Sequence, residues 1–540
     1  MKRLLLLVTA CIFLLCGCQG ADGDNTAGEK SEQAAKSPVL KTENGNVYLE
    51  KCTSGNPIAG TSDTGDFTYG GDPSVLVDGD TVYLYTGHDL STDSEVGRRV
   101  YNIPEYLCYS SKDLKQWKAE GAVMTLSTKN VSWVRDSTSA WASQVTKHYD
   151  KAAGKERYYL YFCSWDKTSA GKQSIGVAVS DSPTGPFVDK GEPLVKGTLT
   201  EPESSTWDDI DPTVFVDTDA NGEEHRYLAW GNSNYFVCEL NEDMISVRDI
   251  NGDGKITCDS TKEKGDILNM PTGLNSFTEA PWIYRRKDAE GKYYGDYYLF
   301  YAYGWRERMA YATTDSLMDN NWSFGNILMS TTATSNTNHM AVFDFKGKTY
   351  FVYHNGSLPA GNGYRRSACI TELKFKANGD IEPIFETAAG LDGRTVSISD
   401  SSGKKLSHEN FLNDSTDDSY PYRDIPLGLD IGKNDGDAQW VLRKGKAKPE
   451  DETYVSIESE NKPGLYMTVG NEGAVVLSQD TDAGKETAKS QTFHSVEGLG
   501  DKSGVSFESV SAPGKYLTAK DGKVILTDGG DAGAATFQIN

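Results

Sequence analysis

"TYGGDPSVLVDGDTVYLYTGHD", residues 68–89, alternates apolar and polar residues along two strands, Val75 and Val77 in the first, Val82 and Leu84 in the second. The turn Asp78-Gly79-Asp80 between them is a hairpin signal. Four later stretches open in a comparable way and run on to an aromatic strand. They are "AWASQVTKHYD" with "RYYLYFCSWD", "DIDPTVFVD" with "RYLAWGN", "TEAPWIYRRKD" with "YYLFYAYG", and "NHMAVFDFKGKTYFVYHNG". The openings at 72, 141, 211, 279 and 339 are spaced 69, 70, 68 and 60 residues apart. Each unit also holds a second strand pair, such as "QSIGVAVSDSPTGPF" or "ERMAYATTDSL", so a unit supplies about four strands, one propeller blade. The period predicts an all-β chain in which a five-bladed β-propeller spans residues 46–390, with the first strand of each blade lining a central cavity. A β-sandwich is the alternative that this regular period disfavours.

The whole chain fits that reading. At 540 residues it is too long for one core, and 29 Tyr, 10 Trp and 54 Gly suit a β-rich protein with many tight turns. The net charge of −24 sets nucleic acid aside as a partner and leaves neutral ligands and cations. Beyond residue 390 a shorter repeat begins at Val396, Val455 and Val505, and its copies close on Trp440, Phe493 and Phe537. Three short β-units predict a smaller β-trefoil-like domain over 391–540. At the N-terminus, Lys2-Arg3 precede an apolar run from Leu4 to Leu15 that is too short to span a bilayer as an ordinary helix. The polar residues 19–45 read as a flexible tether. The six cysteines beyond Cys18 are scattered, with no Cys-x-x-Cys pair, and read as mostly buried apolar residues.

Three of the repeat openings carry a carboxylate: Asp72, Asp211 and Glu279. At equivalent positions of three blades, all three are expected to point into the axial cavity. Glycoside hydrolysis needs two such carboxylates, one to protonate the leaving oxygen and one to activate water or attack directly. The acid must keep its proton near neutral pH, which burial or a neighbouring negative charge achieves. Pro73 and Pro212 follow the two aspartates and are expected to hold each in extended backbone.

"GDPSVLVDGDTVYLYTG", "DIDPTVFVD" and "FTEAPWIY" resemble the three active-site motifs of glycoside hydrolase family 43, and the similarity runs from about residue 55 to 390. The resemblance implies Asp72 as the general base, Glu279 as the general acid, and Asp211 as the group that tunes and orients the acid, with inversion at the anomeric carbon. It places His339 at the axial channel, where a water cluster or a structural calcium can sit; no cofactor is required for the chemistry. Arg365 or Arg366 in "GYRRS" is expected to reach the site, Arg366 being favoured, while Trp141 and Trp305 are candidate sugar platforms. The C-terminal repeats resemble the arabinofuranose-binding β-trefoil, except that Val469 and Ala519 stand near the place of its usual histidine. Leu15-Cys16-Gly17-Cys18 resembles a bacterial lipoprotein box, implying a signal peptide over 1–18, lipidation of Cys18 and an exported protein anchored to the cell envelope. "DINGDGKITCDS", residues 249–260, begins like an EF-hand loop but ends in Ser260 where a bidentate Glu belongs, and a surface turn is the preferred reading.

The expectation is an exported inverting glycosidase that removes α-L-arabinofuranosyl or β-D-xylosyl residues from arabinoxylan-type plant cell-wall polysaccharide. A non-catalytic glycan-binding propeller and an endo-arabinanase are the alternatives.

Overall fold

The computed structural model describes residues 37–540, apart from 62–66, 201–206, 220, 271, 410–423 and 482–484. The signal peptide, Cys18 and most of the tether lie outside the described residues.

Five sheets, antiparallel apart from one short pair in the third, follow one another around an axis. Blade one comprises Gly70–Asp78, Thr81–His88, Glu105–Ser111 and Lys118–Thr125. Blade two runs from Ser143–Asp150 to a two-residue outer strand, Val188–Asp189. Blade three starts with Thr213–Thr218, and its outer strand Ile267–Asn269 carries a short parallel partner, Cys258–Asp259. Blade four runs from Phe277–Lys287 to Ser323–Met329. Blade five has three strands, Ala341–Phe345, Lys348–Asn355 and Ser367–Leu373, rather than the four expected. Its outer edge is covered instead by residues 56–58: Ile58 N–H donates to Ala368 O, and Asn56 Oδ1 accepts from Ile370 N–H. This chain segment, which enters blade one, therefore ties the last blade to the first, so the edge is not left open.

The blades pack through aromatic and branched residues whose alternation was visible in the sequence. Tyr85, Cys108 and Met124 of blade one meet Val145, Leu160 and Phe162 of blade two, and comparable clusters fill the other interfaces. The six cysteines among the described residues are free, and five are buried.

The C-terminal domain is a threefold arrangement. The closing strand of each repeat pairs with the opening strand of the next: Trp440–Lys444 with Tyr454–Ser459, Phe493–Glu497 with Val505–Ser509, and Gln538–Ile539 with Ile398–Ser399. The third strand of repeat one, Ile425–Leu429, pairs with its counterparts Val475–Gln479 and Lys523–Thr527. The aromatics that close the repeats, Trp440, Phe493 and Phe537, are fully buried in the one shared core.

One boundary differs from expectation. Val39–Glu43 and Asn46–Leu49 form a hairpin that joins this C-terminal sheet through Asn46 and Val496, and Val47 and Leu49 enter its core. Residues 39–45 are therefore not tether, and 46–49 are not propeller. The reason is local: Asn44-Gly45 is a hairpin turn signal between alternating residues, within a stretch polar enough to read as linker.

Candidate active site

In three blades the entry to the first strand takes a left-handed turn immediately before a proline. Asp72 has φ 53°, Asp211 φ 60° and Ala280 φ 56°, preceding Pro73, Pro212 and Pro281. The extended backbone expected at Asp72 and Asp211 is thus absent. In blade one the ladder slips between Gly71 and Ser74, and this bulge accommodates the left-handed residue. Such a residue costs on the order of 1–3 kcal/mol and persists only where its surroundings enforce it, and Asp tolerates it better than most. The pattern also corrects the alignment of the carboxylates. Ala280 is the blade-four counterpart of Asp72 and Asp211, and Glu279 lies one residue upstream, at a second ladder slip between Glu279 and Trp282.

Asp72 is held by one cation, Arg366, and by its own backbone N–H on His354. Arg366 Nη1 donates to Asp72 Oδ1 at 2.5 Å, while Nε and Nη2 of the same guanidinium grip Asp89 at 2.9 and 3.0 Å. Arg366 is 2 % exposed and Asp89 is fully buried, so this fork is fixed, and it rests on the ring of Tyr101 at 4.9 Å. Gly71 makes room for it: a Cβ there would stand 2.1 Å from Arg366 Nε. His354 Nε2–H donates to Thr337 O at 2.9 Å, which leaves Nδ1 to accept from Asp72 N–H at 3.2 Å. Burial keeps this imidazole neutral, with a pKa lowered to about 3, so its 3.6 Å approach to Asp72 Oδ1 is not an ion pair. Burial by itself would raise the Asp72 carboxyl, but the Arg366 guanidinium overrides it and holds Asp72 below the usual carboxylate range.

Glu279 has the opposite surroundings. It accepts a 2.6 Å hydrogen bond from Asn232 Nδ2 and shares another with the carboxyl of Glu307. Glu307 is itself buried and fixed by Asn338, whose N–H donates to Oε2 at 2.6 Å and whose Nδ2 donates to the Glu307 carbonyl at 2.8 Å. Burial pushes Glu279 up, and burial with the neighbouring Glu279 pushes Glu307 well up. Asp211 accepts from Ala280 N–H at 2.9 Å, which locks the backbone next to Glu279. Burial, then Glu279 and Asp72, raise its carboxyl well above normal.

These walls enclose a cavity of about 330 Å3 lined by Asp72, Asp211, Glu279, Glu307, Arg366 and a rim of aromatic residues. Trp141 lines it and stacks on Trp207 at 5.4 Å and 24°. Trp305, 52 % exposed, lines it as well. Arg366, not Arg365, reaches the carboxylates; Arg365 turns away to pair with Asp93 and the Ser91 carbonyl. His339 is buried with Nδ1 4.0 Å from Asp72 Oδ1 and 3.9 Å from Asp211 Oδ2, and burial lowers its pKa to about 4. Calcium prefers six to eight oxygen ligands. Among the described residues the one group of three or more acidic, His or Cys side chains at metal-ligand spacing is Asp219, Glu223 and His225, at the other end of the blade-three strand that Asp211 begins. In the 249–260 loop, Asp249, Asn251 and Asp253 accept from the loop's own N–H groups, as a surface turn does.

Sequence reasoning did not find Asp89, Asn232, His354, Glu307 or Trp207. Asp89 and His354 sit at the ends of second blade strands, in the "TGHD" and "YHNG" of the quoted repeats, where a comparison of strand ends rather than strand openings would have singled them out.

Residues 68–381 match the family model for glycosyl hydrolases family 43, and residues 430–539 match that of the alpha-L-arabinofuranosidase B (ABFB) domain. A beta-D-galactofuranosidase from Aspergillus niger is 32% identical over 309 residues, covering 54% of this chain and 77% of that protein. A xylosidase/arabinosidase from Bacteroides ovatus is 28% identical, covering 58% of this chain and 94% of its own. An arabinoxylan arabinofuranohydrolase from Bacillus subtilis is 28% identical over 67% of this chain and 68% of that protein.

Proposed function

The chain belongs to glycosyl hydrolases family 43 and is a glycosidase of arabinose- and xylose-containing hemicellulose, and on that premise we propose that it releases single α-L-arabinofuranosyl residues from arabinoxylan with inversion. Glu279 gives its proton to the glycosidic oxygen as the bond from that oxygen to the anomeric carbon breaks. Asp72 takes a proton from a water whose oxygen bonds to that carbon from the opposite face. Asp211 holds the backbone beside Glu279, and Arg366 keeps Asp72 ionised. Trp141 and Trp305 offer apolar faces to the sugars. The observation that carries this reading is the unequal setting of the two carboxyls in one cavity, one lowered by a guanidinium and one raised by burial.

A cavity of about 330 Å3 lies at the small end of ligand pockets, which run from about 300 to 1,000 Å3, and this supports removal of end or branch residues over cleavage within a chain. The C-terminal match to the alpha-L-arabinofuranosidase B domain favours arabinofuranose as the sugar. The xylosidase/arabinosidase relative supports β-D-xylose as the second reading. Export and attachment to the bacterial envelope through a lipid on Cys18 complete the proposal and rest on the N-terminal sequence.

The test is a product profile on arabinoxylan, arabinan and xylooligosaccharides, with p-nitrophenyl α-L-arabinofuranoside and β-D-xyloside alongside. Free arabinose from arabinoxylan with an intact xylan backbone is expected. Xylose from xylooligosaccharides alone would select the second reading, and no turnover of any of these would leave only a glycan-binding role.

A further inference from the structure

The loop between the last two strands of blade five, residues 356–366, ends in Tyr364 and Arg366, both of which line the active-site cavity. Its other end is fastened to the C-terminal domain. Gln479, at the end of strand Val475–Gln479, is 6 % exposed, and its Nε2 donates to the carbonyls of Gly356 and Gly361, each at 2.8 Å. Two carbonyl oxygens can only accept, so the amide nitrogen must face them. One residue on, the Asp480 carbonyl accepts from Ala360 N–H at 2.7 Å. Gly464 packs so closely on the loop that a Cβ there would stand 2.6 Å from Ser357 Cα. On the propeller side Tyr69 Oη donates to Pro359 O at 2.7 Å, so the loop is held between the two domains.

We propose that Gln479 is a positioning residue for the reaction: through the 356–366 loop, the C-terminal domain sets where Arg366 and Tyr364 stand in the active site. The domain is thus a structural part of the catalytic apparatus, whatever sugars it also meets. The physical argument is one of leverage. A loop fixed at Gly356, Ala360 and Gly361 has only Asn362 to Arg365 left before Arg366, and the Arg366 fork must meet Asp72 and Asp89 together. Loss of the amide leaves two carbonyls buried without a donor, which the loop relieves by shifting toward water. A shift near 1 Å at a charged positioning group is enough to lower turnover strongly.

The catalytic part of this inference rests on the proposed glycosidase reading; the loop part does not, and the experiment separates them. Gln479→Ala is compared with wild type and with Thr518→Ala, a buried hydroxyl of the same domain that bonds Thr527 and does not touch the loop. Hydrogen–deuterium exchange is expected to show faster exchange across 356–366 in Gln479→Ala alone, with the other blades unchanged. On p-nitrophenyl α-L-arabinofuranoside, kcat/KM is expected to fall about tenfold, with the acid limb of its pH profile moving to higher pH because Arg366 holds Asp72 less well. Thr518→Ala should keep the wild-type profile even where it lowers the melting temperature. Unchanged exchange in the loop overturns the proposal, whether or not the wild type turns over the substrate. So does an activity loss that merely follows melting temperature in both variants.

Discussion

The two walls of the cavity are built from similar parts and do opposite things. On one side of the cavity Asp72 of blade one meets a buried guanidinium, Arg366, and two imidazoles that burial keeps neutral, all three supplied by blade five, so its one hydrogen-bonded charged partner is positive. The blade-four wall presents a carboxylate, a second carboxyl and an amide, with no cation in hydrogen-bond contact among the described partners of Glu279. Both carboxyls are partly buried, and that loss of water alone would raise both. The difference lies in whether a charge is supplied to oppose it, and the protein supplies it on one side only. That is how two acids a few residues from the same bulge geometry acquire separate protonation states at one pH.

The sharpest way to break this comparison is to remove each carboxyl in turn and change the demand for a proton. Glu279→Gln is expected to lose about 10²–10⁴-fold in kcat on arabinoxylan, whose departing sugar oxygen needs protonation. On a 2,4-dinitrophenyl glycoside, whose leaving group departs without a proton, the loss should shrink to a small factor. Asp72→Asn should lose activity on both substrates alike. Parallel losses for the two variants would mean that the walls do not divide the work.

Next in size is Arg366→Lys. Lysine keeps the positive charge but lacks the planar fork that meets Asp72 and Asp89 at once. Kinetically, kcat/KM should fall roughly tenfold to hundredfold. The sign of the pH effect follows from Asp72, which acts ionised: activity is lost as pH falls through its pKa, and that pKa is lowered in the wild type. Weakening the guanidinium contact lets burial raise the pKa, so the acid limb of kcat/KM moves to higher pH. Activity measured across the acid range checks this, and an unmoved limb would detach Arg366 from Asp72.

The same contrast explains what could be read from the sequence. Propeller blades repeat, and a repeat is visible as a period, so five openings and three motif carboxylates were legible in the sequence. Arg366 was legible too, as one of two adjacent arginines. What the period could not convey was the break in its own symmetry. Ala280 takes the turn position that Asp72 and Asp211 hold elsewhere, and Glu279 stands one residue aside. The preference of residues before proline for extended backbone also misled, because the bulge and the partners of Asp72 outweigh it. Glu307 and Asn232 come from connections between strands, where no period exists. The 39–49 hairpin was hidden by its polar composition, and the strand it joins lies some 450 residues away, with Asn46 set against Val496.

The smallest predicted effect tests the blade-four wall most directly. Glu307 shares a hydrogen bond with Glu279 and holds its own proton well above the usual range, so the pair releases its protons in two linked steps. Glu279 works protonated, and activity is lost as pH rises through the steps that empty it. While one proton remains, it divides between the two carboxyls, and part of the enzyme keeps Glu279 protonated beyond the first step. Glu307→Gln preserves the shape and a hydrogen-bond donor to Glu279 but cannot share a proton. At the pH optimum kcat should therefore change less than about tenfold, well short of the loss from removing the acid itself. The basic limb should move to lower pH, because Glu279 now titrates alone beside a neutral donor. The measurement is the pH dependence of kcat/KM on a substrate with a sugar leaving group, since an activated aryl glycoside would mask the need for the acid. A limb that stays in place would mean that burial alone sets Glu279 and that Glu307 only props it.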